Sequence, residues 1–238
     1  SKVTPLQRSK MAHPVLKRAA MIDLFNAELH QFKFNGIEQL SKGNVVILLD
    51  QSSSMAAGEG SANLLAVATA IATLIQCKKE GRICSVVGFN GGIQYKVQLD
   101  KKGQAWTLKH NGLRGQKLGT FSDLVSFIMN KKPSGGTDFN APLQFALDIQ
   151  HGLKGSDRSD LIMVTDGYAK VDEQIAEDLQ AWKDDQGGSM FTVLVNYGRA
   201  GDDIKNLSDQ VVDLSEEINS TSSDIGSGAI KAASNVIK

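Results

Sequence analysis

An acid and a run of hydroxyl groups directly follow one hydrophobic stretch of the chain. The sequence VVILL is succeeded by Asp50, and Ser52, Ser53 and Ser54 come next. Five apolar residues without alternation are typical of a strand that is covered on both faces. Because open parallel α/β sheets bind ligands at the carboxyl ends of their strands, these side chains predict a binding site.

Two more loops carry the same oxygen chemistry. The sequence SGGTD ends in Thr137 and Asp138, and the apolar run LIMVT is followed by Asp166 and Gly167. No His or Cys lies near these loops, and the four histidines are scattered. Hydroxyls with a few carboxylates suit Mg²⁺ or Mn²⁺ rather than zinc or copper. The sequence therefore predicts a Mg²⁺ site, and it leaves Mn²⁺ and Ca²⁺ open as the bound ion.

Short apolar strands alternate with helical segments from residue 44 onwards. The predicted strands are 45–49, 83–89, 93–99, 161–165, 190–196 and 210–214, and the predicted helices are 62–78, 124–129, 140–151, 172–185, 202–207 and 222–237. Ser61 and Asn140 are interpreted as helix caps. This alternation predicts an α/β fold with a Rossmann-like, open, mostly parallel sheet and helices on both faces. The hairpin around Gly91 predicts one antiparallel edge strand.

The first 40 residues differ from the rest of the chain. Apolar residues at helical spacing after Pro14 predict an amphipathic helix that ends near Asn35. We therefore divide the chain into a helical appendage, residues 1–40, and a main domain, residues 41–238.

Composition excludes several classes of protein. Lys plus Arg and Asp plus Glu both number 26, so overall charge favours neither nucleic acid nor an anionic membrane surface as a partner. No apolar run approaches the roughly 20 residues of a membrane span, and no signal peptide is visible. Cys77 and Cys84 are expected to be free, buried thiols. These features favour a cytoplasmic location.

The three loops resemble the von Willebrand factor A (vWA) domain family with its metal-ion-dependent adhesion site. That family has the motif D-x-S-x-S after its first strand, a threonine in a later loop and an aspartate after its fourth strand. The matching residues here are Asp50, Ser52, Ser54, Thr137 and Asp166, in the same order. The resemblance implies that the two serines bind the metal directly and that Thr137 binds it directly or through water. It implies that the two aspartates orient waters and hydroxyls.

The resemblance also implies a non-catalytic role in protein–protein interaction, in which a partner's Asp or Glu completes the metal sphere. The expected partner-binding residues surround the motif: Ser53, Lys131, Lys132, Gly136, Asp138 and Gly167. The sequence SGGTDFNAPL is similar to intracellular members, including those that work with MoxR-type AAA+ ATPases and those in Ro-type RNA-binding proteins. An adaptor for an AAA+ ATPase or another multiprotein assembly is therefore expected.

Two alternatives from other classes remain open. A nucleic-acid-associated module would use the basic stretch at 101–132. In a protein-interaction module, the same stretch could steer an acidic partner towards the metal. A Mg²⁺-dependent phosphohydrolase would use Asp50 as nucleophile. The Walker, dinucleotide-binding and serine-hydrolase motifs are absent from the sequence, so we expect no catalysis.

Overall fold

The computed structural model describes residues 43–56, 61–152, 159–195 and 201–214. The helices predicted at 14–35 and 222–237 lie outside these ranges. The division into a 1–40 appendage and a 41–238 domain therefore stays a prediction.

Eight strands and five helices make up the described part of the chain. The strands are β1 (Val45–Asp50), β2 (Cys84–Phe89), β3 (Ile93–Leu99), β4 (Gln104–Leu108), β5 (Arg114–Thr120), β6 (Asp160–Thr165), β7 (Ser189–Leu194) and β8 (Gln210–Asp213). The helices are α1 (Ser61–Glu80), α2 (Phe121–Met129), α3 (Asn140–Gly152), α4 (Glu173–Gln186) and α5 (Asp202–Leu207). One turn of 3-10 helix covers Ser53–Ala56.

The strands form a single sheet in the order β5-β4-β3-β2-β1-β6-β7-β8. Strands β1, β2, β6, β7 and β8 are parallel to one another. From β1 the chain first builds the sheet towards β5, and it then returns to the other side of β1 to form β6. The strand order therefore reverses at β1 and β6, where open α/β sheets bind their ligands. The predicted fold class is confirmed.

The antiparallel edge of the sheet is wider than predicted. The sequence indicated one antiparallel strand, β3, whereas β3, β4 and β5 form a three-stranded antiparallel meander. Strand β5 reads RGQKLGT and lies at the edge, so most of its side chains are exposed and no apolar pattern marks it. Helix α2 also begins earlier than predicted, because Thr120 and Asp123 form a capping box before it.

Burial on both faces of β1 explains its unbroken apolar sequence. Val45, Ile47 and Leu49 pack into the cluster that contains α1 and α2. Val46 and Leu48 pack into the opposite cluster, with α3, α4 and α5. Strand β1 is therefore held in a fixed central position, and its last residue emerges at the edge where the sheet order reverses.

The two cysteines confirm the prediction made for them. Cys77 near the end of α1 and Cys84 at the start of β2 are both free and buried. Burial, together with the neighbouring Cys77 thiol, raises the pKa of Cys84, so this thiol stays protonated.

Asp100 organises the turn between β3 and β4. Its carboxylate accepts hydrogen bonds from the backbone N–H groups of Lys102 and Gln104, both at 2.9 Å, and from Trp106 Nε1 at 3.1 Å. Arg114 of β5 lies 3.3 Å from the same carboxylate. Burial opposes ionisation of this carboxylate, but the three hydrogen bonds and the Arg114 charge together lower its pKa.

Replacing Asp100 by Asn is expected to destabilise the fold by about 2 kcal/mol at pH 7, because an amide cannot replace charge-assisted hydrogen bonds. The folded-state pKa of Asp100 lies below its ordinary value of 3.8. Its contribution is therefore complete above about pH 4 and is lost as the pH falls through the folded-state pKa. Urea unfolding at pH 7 and pH 3 measures the difference, with the exposed Asp148→Asn as control. An equal difference at both pH values would contradict the prediction.

Candidate metal centre

Backbone hydrogen bonds bring the first two predicted loops together at the carboxyl end of β1. The Ser53 N–H donates to the carbonyl of Gly135 at 3.0 Å, and the Ser134 N–H donates to the carbonyl of Gln51 at 2.7 Å. The loop between α2 and α3 is thereby joined to the loop after β1, although about 80 residues separate them in sequence.

Asn90 fixes the second loop from the other side. Its Nδ2 donates to the backbone carbonyl of Ser134 at 2.7 Å, and its backbone carbonyl accepts the Asp138 N–H at 2.7 Å. Gly135 has φ +77°, and a Cβ there would lie 3.1 Å from Asn90 Nδ2, so the loop needs glycine at this position. The sequence showed Asn90 only as part of a hairpin turn, and its anchoring role was missed.

The motif serines and an aspartate form a chain of hydroxyl and carboxylate oxygens. Ser52 Oγ lies 3.0 Å from Ser54 Oγ, and Ser54 Oγ donates to Asp166 Oδ1 at 2.9 Å. Ser52 is buried whereas Ser54 is exposed. The chain of oxygens therefore runs from the interior of the sheet edge to solvent.

Asp50 lies behind the serines and is 0% exposed. Its Oδ1 accepts the Ser52 N–H at 2.8 Å, and its Oδ2 accepts the Thr165 hydroxyl at 2.6 Å. Burial raises the pKa of Asp50; these hydrogen bonds oppose the rise, and repulsion from Asp166 adds to it. The sequence placed Thr165 in the third loop without a role, and the structure shows that it orients the Asp50 carboxylate.

Gly167 lies where Thr137 approaches the aspartates. A Cβ on Gly167 would be 3.3 Å from Thr165 Oγ1, 3.6 Å from Asp50 Oδ2 and 3.9 Å from Thr137 Cγ2. The Gly167 N–H donates to Thr165 Oγ1 at 2.9 Å. The structure thus brings all five predicted metal-site residues to one place, while their role in metal binding stays a prediction.

The predicted partner-binding residues differ in exposure. Ser53 is exposed, and its hydroxyl donates to the carbonyl of Gly135 at 2.9 Å. Gly136 is exposed, and no atom lies within 4 Å of the position of a Cβ there. Asp138 is half-buried, and its Oδ1 accepts the Asn140 N–H at 3.0 Å at the beginning of α3.

The interpretation of Asn140 as a helix cap is wrong. Asn140 is the first residue of α3, and its side-chain oxygen accepts the Asp172 N–H at 2.8 Å. The side chain is therefore used to tie the loop after β6 to α3. A tertiary contact takes the place of the local capping bond that the sequence suggested.

The basic residues at 101–132 are divided between the two ends of the sheet. Lys101 and Lys102 lie in the turn before β4, whereas Lys109 lies in the turn after it. Lys131 follows α2 at the same edge of the sheet as the end of β1, and its Nζ lies 4.0 Å from the ring centroid of Phe127. Lys132 beside it is exposed. The stretch is therefore not gathered into a single cationic surface.

The oxygens at this edge fit the requirements of Mg²⁺. Adjacent ligands of an octahedral Mg²⁺ ion, each about 2.0–2.1 Å from the metal, lie about 2.9 Å apart. Ser52 Oγ and Ser54 Oγ are separated by 3.0 Å. Within the described ranges, no three His, Cys, Asp or Glu side chains come together to hold a metal ion. A cation here would therefore be held by hydroxyl oxygens with the two aspartates close behind.

The comparison with protein families identifies the domain. Residues 45–169, just over half of the chain, match the von Willebrand factor type A domain family. The chain belongs to this family. Membership suggests a protein-interaction module built on the Rossmann-like fold described above.

Individual relatives are distant. An uncharacterised protein of Methanocaldococcus jannaschii is 26% identical over 171 residues, covering 72% of this chain and 34% of the relative. The chain thus spans about a third of that relative's length. Similar solved structures include proximal thread matrix protein 1 from the mussel byssus (TM-score 0.56, 12% identity) and a von Willebrand factor type A protein from Catenulispora acidiphila (TM-score 0.52, 16% identity).

These two structures support the assignment of the fold and nothing beyond it. They cover 81% and 82% of this chain, whereas the matched regions are 47% and 43% of the solved chains. Among the helices of the described residues, none is both long and apolar enough to cross a membrane.

Proposed function

We propose that this protein is a metal-dependent protein-interaction module that binds a carboxylate of its partner at the carboxyl end of β1. The observation that carries the proposal is the adjacency of Ser52 Oγ and Ser54 Oγ, 3.0 Å apart, beside Asp166. Ser52, Ser54 and Thr137 would hold Mg²⁺, with Mn²⁺ or Ca²⁺ as replacements. The bound cation would supply a coordination position for an Asp or Glu of the partner protein.

The electrostatics of the site support a cation. Asp50 is fully buried, its pKa is raised by burial, and Asp166 repels it. A divalent cation would offset both effects, because it favours the charged form of each carboxylate. Neutral hydroxyl ligands would leave most of the cation's charge available to an external acid.

The exposure of the site supports binding of a partner at the surface. Ser53, Ser54 and Gly136 are all exposed around the oxygens. Lys132, exposed after α2, adds positive charge at the same edge and would favour approach of an acidic surface. The partner is therefore expected to present its acid on a protruding loop.

A binding role is favoured over catalysis. A nucleophilic aspartate must reach its substrate, whereas Asp50 is 0% exposed and both of its oxygens already accept hydrogen bonds. We therefore propose a non-catalytic module, and we expect no turnover of a generic phosphoester in the presence of Mg²⁺.

We further propose that the module works in the cytoplasm as an adaptor in a multiprotein assembly, such as one with an AAA+ ATPase. The free, buried thiols of Cys77 and Cys84 are typical of a reducing compartment. Affinity purification from the native host, with and without EDTA, tests the assembly. Recovery of an ATPase or complex subunit only when Mg²⁺ is present would support it.

Calorimetry with Mg²⁺ tests the site itself. Ser52→Ala removes a hydroxyl ligand and is expected to weaken Mg²⁺ binding by at least about tenfold. Even the replacement of a residue that only hydrogen-bonds to a metal ligand typically lowers metal affinity by about 10–100-fold. Ser53→Ala is the matched control, because Ser53 Oγ points to Gly135 rather than to Ser54. Equal weakening in both variants, or no Mg²⁺ binding by the unaltered protein, would contradict the proposal.

A further inference from the structure

Tyr168 is an exposed aromatic residue close to the candidate metal centre. Within the described residues the exposed large hydrophobic side chains are Tyr168, at 72%, and Leu113, at 61%. Leu113 lies in the turn between β4 and β5, away from the end of β1. A single exposed apolar side chain is normal at a protein surface, and Tyr168 differs from Leu113 by its position beside the candidate metal centre.

The position of Tyr168 follows from the loop after β6. Tyr168 is the second residue after Asp166 and is adjacent to Gly167. The Cβ position of Gly167 lies 3.6 Å from Asp50 Oδ2. Consecutive Cα atoms are about 3.8 Å apart, so the Cα of Tyr168 lies at that distance from the Cα of Gly167, the residue that adjoins Asp50.

Gly201 lies beside one side of the Tyr168 ring. A Cβ on Gly201, which is buried before α5, would lie 3.6 Å from both Cδ2 and Cε2 of the ring. Most of the ring surface is open to solvent, because the side chain is 72% exposed. The ring is therefore available to a partner, and a Tyr side chain offers a large contact area with only two side-chain torsion angles to order.

Hydrogen bonds fix both ends of the loop that carries Tyr168. At its beginning, the Gly167 N–H donates to Thr165 Oγ1 at 2.9 Å. At its end, the Val171 N–H donates to Asp203 Oδ2 at 3.3 Å, and the Asp172 N–H donates to Asn140 Oδ1 at 2.8 Å. The backbone of the loop that carries Tyr168 is consequently tied to its surroundings at both ends.

We propose that Tyr168 determines partner specificity by packing against a large apolar side chain next to the partner's metal-binding acid. This inference rests on the proposed function. A partner whose carboxylate lies at the metal centre places the neighbouring one or two residues of its loop over Tyr168. A large apolar side chain there gains hydrophobic contact with the ring, and it excludes water from the adjacent ionic contact.

The chemistry of the partner loop follows from these contacts. It carries one Asp or Glu for the cation and a Leu, Ile, Met or Phe within two positions of that acid. The exposed Lys170, two residues after Tyr168, favours further negative charge in the same loop. Such an acidic and apolar loop differs from a purely acidic segment, which a cationic surface alone would attract.

A displayed library of constrained peptide loops tests the inference. Each loop has a fixed central Asp and randomised flanking residues, and binders selected in Mg²⁺ are eluted with EDTA. We expect large apolar residues to be enriched next to the Asp. Affinity of the selected peptides is expected to fall about 30-fold in Tyr168→Ala, a loss typical of a hot-spot aromatic residue. Tyr168→Phe should retain most of the affinity, and Leu113→Ala should be unchanged.

The results separate this inference from the proposed function. Two results would overturn the role of Tyr168 and leave the metal-dependent function standing. The first is a set of Asp-dependent, EDTA-eluted binders with no enrichment of apolar residues next to the Asp. The second is a set of binders whose affinity for Tyr168→Ala equals their affinity for the unaltered protein. A library that yields no Asp-dependent, EDTA-eluted binder would overturn the proposed function and this inference with it. Calorimetry of Tyr168→Ala is expected to show Mg²⁺ binding equal to that of the unaltered protein, which separates loss of partner contact from loss of the metal.

Discussion

Substitution of Asp50 by Asn is expected to abolish the stabilisation of this protein by Mg²⁺. At a free Mg²⁺ concentration of about 100 times Kd, the unaltered protein should gain about 2.7 kcal/mol. This corresponds to an increase in Tm of about 5–10 °C for a domain of this size. The variant lacks the buried charge that favours a cation, although its Oδ1 can still accept the Ser52 N–H. Differential scanning calorimetry with and without Mg²⁺ measures the effect.

The stability of the unaltered protein and that of Asp50→Asn should depend differently on pH when no metal is bound. Burial raises the folded-state pKa of Asp50 above its ordinary value of 3.8, so the folded protein retains a proton that the unfolded chain has lost. Metal-free stability therefore falls as the pH rises from about 3.8 through the folded-state pKa, and Asp50→Asn removes this decrease.

A conservative change nearby provides the control for both measurements. Ser53→Ala should respond to Mg²⁺ and to pH as the unaltered protein does. If Asp50→Asn retained the full Mg²⁺ stabilisation, the assignment of Asp50 to the metal centre would be wrong.

Arg82 joins three elements at the edge of the sheet opposite the candidate metal centre. Its Nε donates to the carbonyl of Gly43, just before β1, at 2.8 Å. One terminal nitrogen donates to Asp160 Oδ2 at the start of β6 at 2.5 Å, and the other lies 3.6 Å from Glu80 at the end of α1. Arg82 is buried, so these partners replace most of its hydration.

Replacing Arg82 by Met is expected to destabilise the protein by about 3–5 kcal/mol, because the carboxylate of Asp160 loses its buried partner. The corresponding fall in Tm is about 6–20 °C. Urea unfolding at neutral pH measures the loss, and the exposed Lys79→Met near the end of α1 is the control. A loss below 1 kcal/mol would contradict the prediction. Mg²⁺ affinity below the melting range should be unchanged, since Arg82 lies at the other end of β1.

Local sequence was sufficient for the elements that build the candidate site. The unbroken apolar runs before Asp50 and Asp166 predicted central strands, because only burial on both faces tolerates such runs. The alternation of strands and helices then implied a parallel sheet, in which strand ends share one edge. The loops after β1 and β6 could therefore be assigned to the same edge before their distances were known. The loop with Thr137 follows α2 rather than a strand, and its backbone hydrogen bonds to the first loop place it there.

Elements without an apolar pattern could not be predicted in the same way. Strand β5 is polar and exposed, and it exists because β4 offers its backbone hydrogen bonds beside it. Asn140 looked like a cap, yet its side chain bonds to the loop after β6. These outcomes depend on neighbours that are distant in sequence, so local preference carried little information about them.

The sequence by itself indicated the central strands that carry the site and the hydroxyls and carboxylates that follow them, and its motif residues indicated the family. The strands follow from unbroken apolar runs and the motif from residue type and spacing, which are encoded locally. Tertiary structure alone decided that Asn90 anchors the second loop, that Thr165 orients Asp50, and that Gly201 lies beside the Tyr168 ring. Each of these is a contact between chain segments brought together by the sheet, and short hydrogen bonds and ring packing depend on distances that only the folded chain sets.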